Sequence, residues 1–215
     1  MLKIMQWGFG AMGSGMIRLL LNRQGIELVG VVDRNQDLQG KDIGDLLGLD
    51  HKLGIKVTDD PEQILRQRKP DLTLHATGSF MDEVFGQLKL ILENGSNCIT
   101  SAEELAYPWR SHPEQAQLLD KVAQENGVSL LGTGVNPGFV LDLLILALSG
   151  VCGKVDKIWA ARINDLSPFG PTVMRTQGVG TSLEEFQAGL ANGSIVGHIG
   201  FQQSIAMIAD ALGWE

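Results

Sequence analysis

The first fifteen residues, MLKIMQWGFGAMGSG, constrain this chain more than any other stretch. Leu2, Ile4 and the residues through Trp7 make a short apolar run that reads as a buried strand. Gly8, Gly10 and Gly13 follow as G-F-G-A-M-G, the G-x-G-x-x-G spacing. In such a turn the first glycine permits a tight bend. The second clears a side chain from backbone that a pyrophosphate must touch, and the third lets the next helix pack closely on the strand. A helix opening at Ala11 and Met12 turns unpaired N–H groups and a positive dipole end toward phosphates. Residues 27–32 (ELVGVV) read as a second buried strand ending at Asp33, about 20 residues after the third glycine, where an acid meets the adenosine ribose. The alternative is a parallel α/β domain whose first turn binds nothing.

Arg34 follows Asp33. The acid bonds the ribose hydroxyls and disfavours a 2′-phosphate, while an arginine can stack on adenine or meet that phosphate. The pair points to NAD, with tolerance of NADP; Arg34 as a solvated loop charge is the alternative. Residues 71–77 (DLTLHAT) form a further strand, whose carboxyl end carries Thr77, Gly78 and Ser79 toward the pyrophosphate and the ribose near the nicotinamide. His75 inside that strand reads as a core histidine sooner than a catalytic one.

Strands over 55–58, 97–100 and 128–131 alternate with helices over 60–68, 81–93 and 113–126. Six strands in this rhythm predict a doubly wound parallel sheet, a Rossmann domain over 1–135. Glu103 and Glu104 stand at the next carboxyl end, where a substrate would meet the nicotinamide, or serve as first-turn acids of a helix. The loop 132–139 (GTGVNPGF) brings Asn136 toward the nicotinamide carboxamide or an amine, unless it is a plain turn.

Residues 136–215 are expected to form a linker helix and the first part of an α+β substrate and dimerisation domain. A strand is predicted over 155–163 (VDKIWAARI), a loop with two prolines over 164–172, and a capping-box helix opening at Ser182. One strand cannot bury a sheet face alone. The domain is therefore expected to borrow strands from a partner or to continue beyond this sequence, and a homodimer or larger homo-oligomer is expected.

A net charge of −8 with no basic run argues against nucleic acid or an anionic membrane as partner. Cys98 and Cys152 offer neither a disulfide framework nor metal-ligand spacing, so no metal site is expected. A cytoplasmic protein is the default expectation.

Four stretches taken together resemble one family: RINDLSPFGPTVMRTQGVG at 162–180, GTGVNPGF at 132–139, HATGSF at 75–80 and EELAYPW at 103–109. They are similar to the 2,4-diaminopentanoate dehydrogenases, which sit among the dihydrodipicolinate reductase-like proteins. The resemblance implies NAD(P)-dependent oxidative deamination of 2,4-diaminopentanoate at C4, giving 2-amino-4-oxopentanoate and ammonia, in anaerobic ornithine fermentation. It also implies a glutamate as acid/base, and a chain corresponding to the first two thirds of a family member.

Oxidising an amine requires a base for its proton and an activated water for the imine, and one suited carboxylate can do both. Glu104 and Glu103 are the candidates. Arg162 is the candidate cation for a substrate carboxylate, or else a strand-end charge paired with Asp165. Asn164, Thr172 and His198 could complete the pocket. A dihydrodipicolinate reductase-like imine reductase, a non-catalytic NAD(H) sensor and an inactive fragment are the alternatives.

Overall fold

A computed structural model of the chain describes residues 1–166 and 170–215, with the side chains of 170–172 outside the description. It divides into two units, Met1–Gly134 and Val135–Glu215.

In the first unit six strands form one parallel sheet: β1 (Leu2–Trp7), β2 (Ile26–Val32), β3 (Val57–Thr58), β4 (Leu72–His75), β5 (Asn97–Thr100) and β6 (Leu130–Gly132). The order β3-β2-β1-β4-β5-β6 reverses direction between β1 and β4, the switch point at which such sheets bind ligands. Ile4, Met5, Gln6 and Trp7 are all buried, because helices cover both faces of a parallel sheet. These helices are α1 (Ala11–Leu21), the short α2 (Ile43–Leu46), α3 (Pro61–Arg68), α4 (Met81–Glu93) and α5 (Pro113–Asn126).

Local chemistry sets the helix starts. Asp60 accepts a hydrogen bond from Gln63 N at 2.9 Å, with Pro61 in the first turn. Asp42 caps α2 and also accepts from Leu53 N and Gly54 N at 2.9 and 2.8 Å, tying down the glycine-rich loop. Two apolar clusters fill the layers. One joins Met5 and Trp7 to Val84, Leu88 and Leu92 of α4 and Leu119 of α5. The other joins Phe9 and Ile17 to Val31, Ile43 and Val57.

The second unit contains α6 (Leu143–Ser149), α7 (Gly170–Thr176), α8 (Leu183–Asn192) and α9 (Phe201–Leu212). α8 opens with the expected capping box: Ser182 Oγ accepts from Glu185 N, and Glu185 accepts from Ser182 N. Asp142 is buried and accepts from Leu143 N, Gly138 N and Ser204 Oγ, which starts α6 four residues later than the apolar run does.

Two expectations are corrected here. The strand over 155–163 does not form, and among the described residues this unit holds no strand. Trp159 is 83% exposed and Ile163 96%; alternation asks for a neighbouring strand, and no described residue supplies one. The predicted loop over 164–172 gives way to α7 at Gly170, since Pro171 is compatible with a first helical turn.

Candidate active site

Three glycines shape the switch point, each for a different reason. Gly8 has φ of 96°, and a Cβ there would lie 2.2 Å from Ala76 O. A Cβ on Gly13 would lie 1.9 Å from Gly8 O, so α1 can approach β1 only without one. Gly10 has an ordinary φ of −70°, and a Cβ would meet nothing within 4 Å. Nothing inside the chain requires a glycine there. Its α-carbon instead faces a cleft of about 580 Å³, where a missing side chain leaves the backbone open to a ligand.

That cleft is lined by Gly8, Gly10, Asp33, Arg34, Thr77 and Gly78, which the chain brings together from three strand ends. Ala11, Met12 and Gly13 form the first turn of α1 beside it. This turn has no acidic residue and no side-chain cap, so its leading N–H groups are not satisfied by a side chain. Ser79 lies outside the lining, because the chain is already turning into α4 and Ser79 O accepts Glu104 N at 3.2 Å. Asp33 fastens the glycine turn as well as lining the cleft. Its Oδ2 accepts Phe9 N at 2.6 Å and its Oδ1 accepts Asn35 N at 2.8 Å. Carboxylate oxygens have further lone pairs for ribose hydroxyls.

Among the residues of this wall that sequence reasoning missed are Glu83 and Gln87, both on α4. Gln87 belongs to a network under the cleft floor. His75, fully buried, meets Thr100 Oγ1 through Nδ1 at 2.9 Å and Gln87 Oε1 through Nε2 at 2.8 Å. Trp7 packs edge-on against it, with ring centroids 6.1 Å apart. Burial pushes the imidazole down to about 4. His75 is a neutral, fully bonded core group.

Glu104 lies in a 3-10 helix, Glu103–Ala106, just beyond β5. Its Oε2 accepts Met81 N, the first helical N–H of α4, at 2.7 Å. Phe80, at the cap position of α4, has no side-chain acceptor, so Glu104 caps that helix from the turn after β5, outside the lining of the cleft. It is therefore a first-turn acid of its own 3-10 helix, as the sequence allowed, and the cap of α4 as well. His112 Nε2 approaches the same Oε2 at 3.0 Å. Both contacts fall on one oxygen, and Oε1 is neither hydrogen-bonded among the described residues nor buried. Glu103 is half-buried one residue earlier. His112 was not legible in the sequence, where only Pro113 marked a helix start beside it.

The structure also pairs expected residues in the second unit. Asn136 Nδ2 donates to His198 Nε2 at 2.9 Å, and His198 Nδ1 meets Ile199 O at 2.6 Å. An imidazole that accepts at Nε2 and donates at Nδ1 is neutral, with its proton on Nδ1. Phe201 packs edge-on against it at 5.2 Å. Asn136 Oδ1 is buried with no partner among the described residues. With the Asn164 amide turned oxygen-first, Arg162 donates to it from Nε at 3.3 Å and Nη2 at 3.0 Å. Thr172 lies in α7, and its side chain is outside the described residues. Among the described residues no cluster of His, Cys, Asp or Glu could hold a metal ion, and no helix is long and apolar enough to cross a membrane.

A six-stranded switch-point sheet with this glycine turn and acid defines a dinucleotide-binding α/β chain. Residues 2–103 match the family model of the dihydrodipicolinate reductase N-terminus, and 139–215 match the 2,4-diaminopentanoate dehydrogenase C-terminal domain. The chain belongs to the 2,4-diaminopentanoate dehydrogenase family, within the dihydrodipicolinate reductase-like proteins.

It is 44% identical to a 2,4-diaminopentanoate dehydrogenase of Acetoanaerobium sticklandii, over 99% of this chain and 60% of that one. It is 31% identical to an amine dehydrogenase of Streptomyces virginiae, over 79% of this chain and 48% of that one. Among solved structures, the amine dehydrogenase from Mycobacterium smegmatis superposes with a TM-score of 0.82 at 30% identity, covering 99% of this chain and 62% of that one. A dipicolinate-bound dihydrodipicolinate reductase from Paenisporosarcina sp. TG-14 shares the fold, with a TM-score of 0.52 at 21% identity over 70% of this chain and 54% of that one. The chain thus spans 60% of the first relative's length and 48% of the second's.

Proposed function

We propose that this chain binds NAD or NADP in the switch-point cleft and serves the oxidative deamination of 2,4-diaminopentanoate. The products are 2-amino-4-oxopentanoate, ammonia and the reduced cofactor, with one water consumed and one proton released. The observation that carries cofactor binding is Gly10. It is a glycine with no internal reason, set in a cleft between an unacidic helix start and the Asp33 carboxylate. The relative at 44% identity supports the choice of substrate. A bound nicotinamide would supply the acceptor for the hydride that leaves C4 of the substrate.

The chain's own residues have the remaining work. Gly8, Gly10 and the N–H groups of Ala11 and Met12 hold the pyrophosphate. Asp33 takes the ribose hydroxyls, so NAD binds more tightly than NADP, and Arg34 preserves some affinity for the latter. Glu104, pinned through Oε2 by Met81 and His112, offers Oε1 to the amine proton and then to the water that attacks the imine. Arg162 with Asn164 grips the substrate carboxylate, and Asn136 with His198 holds the amine. In this proposal the enzyme is a cytoplasmic homo-oligomer.

The test is NADH appearance with 2,4-diaminopentanoate, alongside titration of NADH and NADPH by fluorescence. Glu104→Gln keeps an acceptor for Met81 N and is expected to lower kcat by about 10²–10⁴-fold, with NADH affinity changed less than about threefold. Full turnover in both Glu104→Gln and Glu103→Gln refutes the acid/base assignment. Cofactor binding with no turnover in the unsubstituted chain favours a redox sensor.

A further inference from the structure

Gln87 was invisible in the sequence because it sits mid-helix among ordinary helix formers, yet it lines the dinucleotide cleft. Its amide is oriented by a one-way chain of donors. Thr100 Oγ1 accepts Ala102 N at 3.1 Å, and His75 Nδ1, 2.9 Å away, is the acceptor in reach of the hydroxyl's own proton. A His75 that accepts at Nδ1 and stays neutral must donate at Nε2. That donor lies 2.8 Å from Gln87 Oε1 and 3.0 Å from Thr77 Oγ1. The Thr77 hydroxyl in turn donates to the same Gln87 Oε1 at 2.8 Å. Two donors therefore converge on the amide oxygen and fix which end of the amide is which. The amide nitrogen has no hydrogen bond among the described residues and is not a buried unpartnered atom. Two N–H donors are thus left to a group whose side chain borders the cleft.

We propose that Gln87 contacts the bound dinucleotide, held by His75 and Thr77 so that its amide N–H groups donate to an oxygen of the pyrophosphate or its flanking riboses. This rests on the assignment of the cleft to NAD(P). His75 and Thr77 act as positioning residues, and Gln87 is the contact. The arrangement suits an oxygen-rich anionic ligand, since a pre-oriented donor in a partly buried wall forms a charge-assisted hydrogen bond without reordering.

The test uses fluorescence titration of NADH, and competition by ADP-ribose, on the intact 215-residue chain. Gln87→Glu keeps an oxygen acceptor for both His75 and Thr77 but removes the donors. Gln87→Met removes the donors without adding charge. Both variants are expected to weaken NADH and ADP-ribose alike, by about tenfold or more. The thermal midpoint of ligand-free Gln87→Glu should match that of the unsubstituted chain. Unchanged NADH affinity in both variants overturns the proposal while leaving the cleft assignment standing. Loss in Gln87→Glu alone also overturns it, since charge repulsion then explains the effect, as does loss for NADH with ADP-ribose unaffected. An unsubstituted chain that binds no NADH overturns the cleft assignment itself, and this contact with it.

Discussion

A histidine with no solvent exposure must keep one protonation state to remain folded. His75 is such a residue, and burial holds its imidazole at about 4 against an ordinary 6.5. The folded pKa lies below the unfolded one, so the neutral form stabilises the fold fully above about 6.5. As pH falls through that value, the unfolded chain takes up a proton that the folded chain refuses. Stability drops until about pH 4, a total of about 3 kcal/mol. Urea unfolding at pH 7 and pH 5 checks this. The unsubstituted chain should lose about 2 kcal/mol more between the two than His75→Gln, whose amide cannot titrate. Equal losses would show that His75 is not the group involved. At this scale legibility was uneven. Asp33 could be found because its distance from the glycines is set by one βαβ unit. Gln87 and His112 could not, because their roles come from partners on other elements that no local pattern announces.

Helix starts and the glycine turn were readable as elements, since each is decided by contacts within a few residues. Asp60 with Pro61, and Ser182 with Glu185, are such cases. The alternation over 155–163 is equally clear in sequence, but a strand also needs a neighbour, and pairing is not local. The glycine turn allows a sharper test, because its second and third glycines have different reasons to exist. Gly13→Ala drives a Cβ toward backbone at Gly8 O, where nothing flexible can yield. It should cost about 1–3 kcal/mol of stability, the range for overpacking. Gly10→Ala adds a Cβ that meets nothing, at a permitted φ, so unfolding should change by less than about 0.5 kcal/mol. NADH affinity should nevertheless fall, because the methyl enters the cleft where the pyrophosphate lies. Chemical denaturation and NADH titration of the two variants measure both quantities. A Gly10→Ala chain that binds NADH normally would remove the main support for cofactor binding at this turn.

At the scale of the whole molecule, the sheet and both apolar clusters belong to Met1–Gly134, and every residue lining the cleft lies there too. Val135–Glu215 holds short helices, and around Trp159 the chain has no regular structure and little burial. Backbone without internal hydrogen bonds and with exposed side chains is where proteases cut first. Chymotrypsin at low ratio should therefore cleave after Trp159 before it cleaves after Trp7, which is 9% exposed within β1. The N-terminal product should keep NADH affinity within about threefold of the intact chain, under 0.7 kcal/mol, since the cleft needs nothing beyond Gln87. Mass spectrometry identifies the cut, and titration of the isolated fragment reads the affinity. Loss of binding would assign part of the cofactor site to the residues after Trp159, with His198, the partner of Asn136, the first to examine. Retained binding would restrict His198 to the substrate, and the cofactor would then be held by the residues up to Trp159.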